Sequence, residues 1–263
     1  MSENKIHRVG IIMNGVTGRM GKNQHLLRSI VPIIRQGGIR VSDKETIIPD
    51  PILVGRNENK LKALSIESGI NNWSTDLNGL LQDSEYSVYF DSTMTPLRAG
   101  NIENAIMAGK DIYCEKPVTM NIDDAFKIYR LAKEKGVRHG VVQDKLWLPG
   151  IMKLKDLIDR GYFGRIFSVR GEFGYWVFEG DTIPSQRPSW NYKKDQGGGI
   201  IFDMLCHWQY LLENTFGQIK SLTCLGALHI DKRWDEKNEP YNADAEDAAY
   251  TTFLIDGPDG EIV

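Results

Sequence analysis

Three side chains suit proton and oxyanion chemistry: Asp203 and His207, four residues apart, and Lys116 far upstream. Imidazole as a group titrates near neutral pH, which makes His207 a natural base for a hydroxyl proton. Asp203, one helical turn earlier, is placed to orient that imidazole or to hold a neighbouring hydroxyl. The ammonium group of Lys116 can polarise a carbonyl or stabilise a developing alkoxide. Each group also has an ordinary alternative: a solvated helix face for the Asp–His pair, and an exposed ion pair for Glu115 and Lys116.

The elements around these residues decide between the alternatives. Gly197-Gly198-Gly199 lead into a predicted helix with Ile201, Leu205, Trp208 and Leu212 on one stripe and Asp203, His207, Tyr210 and Asn214 on the opposite one. Taken alone, that polar stripe faces solvent. Lys116 stands just beyond a short apolar strand, Asp111 to Cys114, and Pro117 fixes the backbone after it, with a cis bond as one option.

The first half alternates strands and helices. Val9 to Met13 is a continuous apolar run, as in a strand buried on both faces of a parallel sheet. It ends in Asn14-Gly15-Val16-Thr17-Gly18-Arg19-Met20-Gly21, where the backbone of Gly15, Thr17, Gly18, Arg19 and Met20 can cradle a pyrophosphate at a helix start. The spacing is GxxGxxG, not GxGxxG, and a glycine-rich turn without a ligand has the same composition. Gly37 to Asp50 is expected to be a charged surface loop, and Ile52 to Val54 the second strand. Arg56, just after it, tilts the cofactor choice from NAD towards NADP, because an arginine can pair with a 2′-phosphate.

Further along, Thr93 and Met94 follow a strand at Tyr86 to Phe90, at the edge where doubly wound sheets bind ligands. With Glu115 and Lys116 they complete the candidate cofactor contacts. A helix from Ile122 to Lys135 is expected to bury Phe126, Tyr129, Leu131 and Ala132. The βα alternation predicts an N-terminal doubly wound parallel sheet of the Rossmann type over residues 1–144, followed by a substrate-binding α/β domain over residues 145–263.

In that second part, an amphipathic helix opens at Leu148 or Pro149, runs through Leu154, Leu157 and Ile158 and is closed by Gly161. From Arg165 the period becomes two, which predicts a strand through Phe173. Tyr175, Trp176 and Trp190, together with Lys145, are candidate substrate contacts, since aromatic faces and polar tips suit a polyhydroxylated ring. Strands are expected at Ser221 to Ile230 and Ala248 to Ile255, with a polar loop from Asp231 to Asn242 between them. Asp256-Gly257-Pro258-Asp259-Gly260 is a turn signal.

Composition narrows the function classes. The 263 residues carry a formal net charge of −3 with both signs interspersed, which gives no field for nucleic acid or an anionic membrane. No apolar run approaches the roughly 20 residues needed to span a bilayer. The three cysteines are scattered, so neither a disulfide framework nor a zinc site is expected. Cys206 and His207 point about 100° apart on a helix, which suits no shared metal ion. The N-terminus runs directly into an apolar strand without a secretory pattern, so the expected location is cytoplasmic.

The glycine turn, the run Ala108-Gly109-Lys110-Asp111-Ile112-Tyr113-Cys114-Glu115-Lys116-Pro117, and then Gly197-Gly198-Gly199 followed by Asp203 and His207 resemble the Gfo/Idh/MocA family of NAD(P)-dependent oxidoreductases, in that family's order and over nearly the whole chain. The resemblance implies a Rossmann domain followed by an α/β domain on a large open, mainly antiparallel sheet. It also implies hydride transfer between the nicotinamide and a secondary alcohol or ketone of a sugar, polyol or related molecule, with Lys116, Asp203 and His207 in the roles above. Only Glu261-Ile262-Val263 follow the last turn. Either the sequence is a truncated product, or another subunit covers its sheet edge, which makes a homo-oligomer through the C-terminal sheet the expectation. Two rival readings are a dihydrodipicolinate-reductase-like enzyme, whose nucleotide turn resembles Gly15 to Gly21, and a non-catalytic NAD(P)-binding sensor or scaffold.

Overall fold

The computed structural model describes residues 5–174, 177–185 and 187–263. The chain divides into two compact units that meet in sequence between Val142 and Gln143.

The first unit is built on a seven-stranded sheet. Its strands are β1 (Lys5–Asn14), β2 (Ile39–Ser42), β3 (Glu45–Val54), β4 (Trp73–Ser74), β5 (Tyr86–Asp91), β6 (Asp111–Cys114) and β7 (His139–Val141). The parallel strands lie in the order β4-β3-β1-β5-β6-β7, the doubly wound arrangement with its switch between β1 and β5, and β2 pairs antiparallel with β3. A helix wound with π-helical hydrogen bonding, Met20–Ile30, continues into α1 (Val31–Arg35), and α2 (Glu58–Ser68), α3 (Leu77–Gln82), α4 (Thr95–Met107) and α5 (Ile122–Lys135) follow. Neighbouring residues feed opposite faces: Ile12 and Tyr89 join the cluster with Ile102, Ile106 and Ala132, while Met13 and Phe90 join the one with Leu26, Leu61 and Leu64. Burial on both sides explains why these strands read as continuous apolar runs.

Two expectations are corrected here. Gly37 to Asp50 is not a surface loop: β2 and the first half of β3 form a hairpin, and β3 pairs with β1 over ten residues from Lys5↔Glu45 to Asn14↔Val54. The charge and prolines of this stretch concealed the strand. The backbone N–H of Leu53 points away from β1, to the carbonyl of Asn72. Strand alternation gives Pro49 and Pro51 the same direction, opposite a stretch between β2 and β4 where no neighbour requires a donor. In α5 the buried residues are Ile128 and Ala132, while Phe126 and Tyr129 stay 52% and 50% exposed. The stripe running through Ile128, Leu131 and Ala132 is rotated by about one residue from the expected face.

The second unit opens with a helical turn, Asp144–Trp147, and α6 (Pro149–Asp159). Two further turns, Ser189–Tyr192 and Lys194–Gln196, precede a π-wound segment, Ile201–Leu205, which continues as α7 (Cys206–Thr215). The strands β8 (Gln218–Ala227), β9 (Lys232–Trp234), β10 (Pro240–Asn242), β11 (Ala248–Gly257) and β12 (Gly260–Ile262) complete the unit. They form an antiparallel sheet in the order β12-β11-β8 and a separate β9–β10 hairpin. Phe216, Ile255 and Ile262 form its core with Leu154, Ile158, Leu212 and Phe253 packed around them.

The strand expected at Arg165 to Phe173 is not formed. Phe167 and Val169 exchange backbone hydrogen bonds with Val263, but residues 165–173 are otherwise irregular. Alternation specifies two faces, whereas a strand also needs a hydrogen-bonding neighbour along its length. Conversely, the polar loop at Asp231 to Asn242 holds the β9–β10 hairpin, with Asn238 in the left-handed region at its tip (φ 64°) and the Asp235 carboxylate accepting the N–H groups of Lys237 and Glu239. Strands of three residues are too short to show a period. Among the described residues no helix is long and apolar enough to cross a membrane.

Candidate active site

In the first unit the strand register creates the site. Asn14 lies opposite Val54 and Asp91, Asp91 opposite Cys114, and Cys114 opposite Val141, so five strands end in one row. The residues that follow, Gly15, Gly55-Arg56, Ser92-Thr93 and Glu115-Lys116, therefore leave the sheet at one edge. The glycine turn packs closely there: a Cβ on Gly15, whose φ is +76°, would lie 2.7 Å from the Thr93 nitrogen, and one on Gly21 would lie 2.5 Å from Ser92 Oγ. Gly18 is more open, its nearest neighbour being the Gly15 carbonyl at 3.2 Å. A bare, outward-facing glycine backbone at a helix start fits a dinucleotide pyrophosphate. Arg19 and Met94 are exposed and Thr17, Met20, Thr93 and Lys116 are partly buried, while Arg56 is exposed at the end of β3.

A buried polar network beneath this edge was not foreseen from the sequence. Asp91, fully buried, accepts from the Tyr89 hydroxyl at 2.6 Å, from the Thr93 hydroxyl at 2.7 Å and from the Thr93 N–H at 2.8 Å. Arg98, in the first turns of α4, donates to Asp91 Oδ1 at 3.3 Å, to the Thr93 carbonyl at 2.5 Å, to the Glu115 carbonyl at 3.0 Å and to the Pro117 carbonyl. One guanidinium thus holds the backbone on both sides of Lys116, whose bond to Pro117 is cis. The Glu115 carboxylate is bonded to His25 Nε2 and accepts the Lys116 N–H at 3.2 Å. Burial pushes the Glu115 carboxyl up, but the His25 bond and charge, the Lys116 N–H and the Arg98 charge outweigh it and hold the group below its ordinary range. Buried arginines read as surface residues in a sequence, and the only available signal was Asp91 followed by hydroxyl residues at a strand end.

In the second unit the triple glycine serves packing. A Cβ on Gly198 would lie 2.5 Å from the Trp190 carbonyl oxygen, and one on Gly199, at φ +110°, would lie 2.4 Å from Glu246 Oε1. Glu246 caps the following helix, its backbone carbonyl accepting from Ile200 N–H at 2.9 Å and its carboxylate from Ile201 N–H at 3.2 Å. The solvated-face alternative for that helix is wrong: Asp203, His207 and Tyr210 are buried, whereas Ile201, Leu205, Trp208 and Leu212 are only half-buried and Asn214 alone of the polar stripe is exposed. Asp203 is ion-paired with Arg187.

His207 is held from the side of Nδ1, 2.7 Å from the Tyr210 hydroxyl and 3.7 Å from Asp144 Oδ1. Lys145 contributes its N–H to Tyr210 at 3.2 Å and its ammonium to Asp144 at 2.7 Å. Burial pushes the Asp144 carboxyl up, yet Lys145, the His207 charge and the Tyr210 hydroxyl hold it below its ordinary value; burial pushes the Tyr210 hydroxyl up. Lys145 therefore enters the second unit's site as a neighbour of the His207 partners. Trp190 is 40% exposed on the turn Ser189–Tyr192. Tyr175 and Trp176 lie outside the described residues.

Beside Asp203 a cavity of about 280 Å³ is lined by Arg187, Asn191, Tyr192, Arg233, Glu246 and Asp247 among others. Arg233 is buried against the Tyr192 ring, 3.8 Å from its centroid, and pairs with Asp247 at 3.0 Å.

A parallel sheet of this order with a glycine turn at its first strand end is a dinucleotide-binding fold of the Rossmann type. Residues 51–143 match the model described as oxidoreductase family, NAD-binding Rossmann fold, and residues 151–261 match the GFO/IDH/MocA C-terminal domain. The chain belongs to the Gfo/Idh/MocA family, as the motif resemblance implied. It is 50% identical over 255 residues to a D-xylose dehydrogenase of Paenarthrobacter nicotinovorans, an alignment covering 97% of this chain and 66% of that protein. To a levoglucosan dehydrogenase of Pseudarthrobacter phenanthrenivorans it is 26% identical over 195 residues, which is 74% of this chain and 48% of the relative. The chain thus spans less than two thirds of the length of these curated relatives. Among solved structures, a levoglucosan dehydrogenase in complex with NADH and levoglucosan has the same fold, with a TM-score of 0.76 and 22% identity over 98% of this chain and 66% of that one.

Proposed function

We propose that the protein is an NAD(P)-dependent dehydrogenase or reductase acting on a CH–OH group of a small sugar or polyol, with D-xylose the first substrate to test in view of the relative that is 50% identical. The observation that carries this reading is the row of strand ends, which brings the glycine turn, Arg56, Thr93 and Glu115-Lys116 to one edge of a Rossmann sheet. In this reading Gly15, Thr17, Gly18, Arg19 and Met20 hold the pyrophosphate, Thr93, Met94 and Glu115 line the nicotinamide side, and Arg56 takes a 2′-phosphate, which favours NADP over NAD. When bound, the nicotinamide supplies the acceptor for the hydride leaving the carbinol carbon.

His207 takes the hydroxyl proton as that hydride departs, Lys116 stabilises the charge on the reacting oxygen, and Asp203, fixed by Arg187, holds a neighbouring hydroxyl. Tyr175, Trp176, Trp190 and Lys145 are assigned to the sugar's faces and rim. Exposed Leu222, Leu225 and Tyr250 on the antiparallel sheet support self-association there.

Replacing His207 with Asn should reduce turnover at least about 100-fold while NADPH binding, followed by nicotinamide fluorescence, changes little. A variant that keeps most of its activity refutes the base assignment. NADPH binding by the parent protein without turnover on any aldose, polyol or keto-sugar supports the sensor reading instead.

A further inference from the structure

The phenol of Tyr210 allows the proton position on His207 to be assigned by counting hydrogen-bonding capacity. A phenol has one proton to give and two lone pairs to receive. Its oxygen faces three groups: the Lys145 N–H at 3.2 Å, Asp144 Oδ1 at 3.3 Å and His207 Nδ1 at 2.7 Å. The Lys145 N–H can only donate. Asp144 carries the Lys145 ammonium at 2.7 Å on its other oxygen, and as a carboxylate it can only accept. The phenol proton therefore belongs to Asp144, and the second lone pair of the phenol accepts from Nδ1–H of His207. In the alternative, with the phenol donating to Nδ1, the negatively charged Asp144 Oδ1 would face lone pairs on both the phenol at 3.3 Å and Nδ1 at 3.7 Å, and two charge-assisted attractions would become repulsions.

We propose that Tyr210 and Asp144 are positioning residues that fix the Nδ1-protonated tautomer of His207 and stabilise its imidazolium form. This rests on the reading of His207 as the base. With Nδ1 protonated, the lone pair sits on Nε2; the substrate O–H bond breaks as the Nε2–H bond forms, and the electron pair stays on the substrate oxygen. The imidazolium so produced donates from Nδ1 to Tyr210 and lies 3.7 Å from the Asp144 carboxylate. An imidazole held by an acceptor at one nitrogen works as a base at the other, as in a serine-protease triad; here a phenol stands between ring and carboxylate. Among the described residues, the charged and titratable groups beside the ring include Asp144, Lys145, Cys206 and Tyr210, with Asp203, paired to Arg187, one turn earlier on the same helix. Tyr210 follows His207 by three residues, so α7 itself sets the ring-to-ring geometry, with centroids 5.6 Å apart at 82°.

The test is 15N NMR of histidine-labelled full-length protein, with His207 assigned among the five histidines by comparison with H207N. The expected result is a protonated Nδ1 and an unprotonated Nε2 at alkaline pH, with Tyr210→Phe shifting the population towards protonated Nε2. Asp144→Asn keeps the shape of the carboxylate and should lower the His207 titration midpoint, making the imidazolium roughly threefold to tenfold harder to form. On substrate, Tyr210→Phe should lower kcat between about tenfold and 100-fold with KM changed less than about threefold. A wild-type protein with protonated Nε2, or a Tyr210→Phe protein with an unchanged tautomer, overturns the inference. If Asp144→Asn leaves the midpoint in place, the assigned role of the carboxylate is wrong. The NMR result is independent of turnover, so an inactive protein or an active H207N variant would refute the functional reading while leaving the tautomer assignment to be judged on its own.

Discussion

Arg98 and Asp91 form a buried ion pair under the strand ends of the first unit, Nε lying 3.3 Å from Oδ1 with the two side chains 4% and 0% exposed. The remaining Arg98 donors reach the Thr93, Glu115 and Pro117 carbonyls, so the pair is anchored to the two loops that follow β5 and β6. Removing one partner strands the other charge in a dry site, a change that costs about 3–5 kcal/mol. Asp91→Ala and Arg98→Leu should therefore each lower the urea midpoint severely, and Asp91→Asn should be milder because it keeps an acceptor for Thr93. Losses below about 1 kcal/mol for both truncations would contradict this account.

The nucleotide turn predicts a contrast between two glycines. Alanine at Gly15 combines a φ of +76° with a Cβ 2.7 Å from the Thr93 nitrogen, both backbone constraints. It should cost about 2 kcal/mol or more. Alanine at Gly18 meets nothing nearer than 3.2 Å, so stability should change by less than about 1 kcal/mol while the new methyl crowds the approach of a pyrophosphate. Urea unfolding and NADPH titration on both variants separate the two effects; equal stability losses would defeat the assignment.

Acid sensitivity should follow Glu115. Its folded-state value lies below the unfolded one, so the stability it contributes is present above the ordinary glutamate value of about 4.3 and is lost as pH falls through the depressed folded value. Glu115→Gln should lower the urea midpoint at pH 7 and flatten its decline between about pH 5 and pH 3. A variant with the same acid slope as the parent would show that His25 and Arg98 do not stabilise this carboxylate.

Which of these features could be read from the sequence depends on how local their cause is. The strand runs at Val9 to Met13 and Tyr86 to Phe90, the helix over Ile122 to Lys135 and the order of the glycine turn, Glu115-Lys116-Pro117 and Asp203/His207 were legible because each is set by neighbouring residues. The β2–β3 hairpin was hidden because Pro49 and Pro51 are tolerated only through the particular spacing of β2 and β4 along β3. The burial of Asp203 and His207 was hidden for a related reason: Arg187 and Asp144, the partners that make their burial tolerable, lie 16 and 63 residues away. Likewise nothing in the local pattern marks Arg98 as buried, since its four acceptors are brought to it by the ends of two separate strands, β5 and β6.

The proposed preference for NADP turns on Arg56. It directly follows Gly55 at the end of β3, and the next residue, Asn57, caps α2 by accepting the Lys60 N–H at 3.0 Å. The nearest acid along that helix, Glu58, is engaged by Lys62 at 2.7 Å, and Arg56 has no ion pair among the described residues. An exposed guanidinium at this strand end meets a 2′-phosphate as a bidentate, salt-sensitive contact. Arg56→Ala should weaken NADPH binding by about tenfold, leave NADH binding within about twofold, and reduce the dependence of NADPH affinity on ionic strength. Equal weakening for both cofactors would assign Arg56 to the shared part of the dinucleotide and remove the case for NADP.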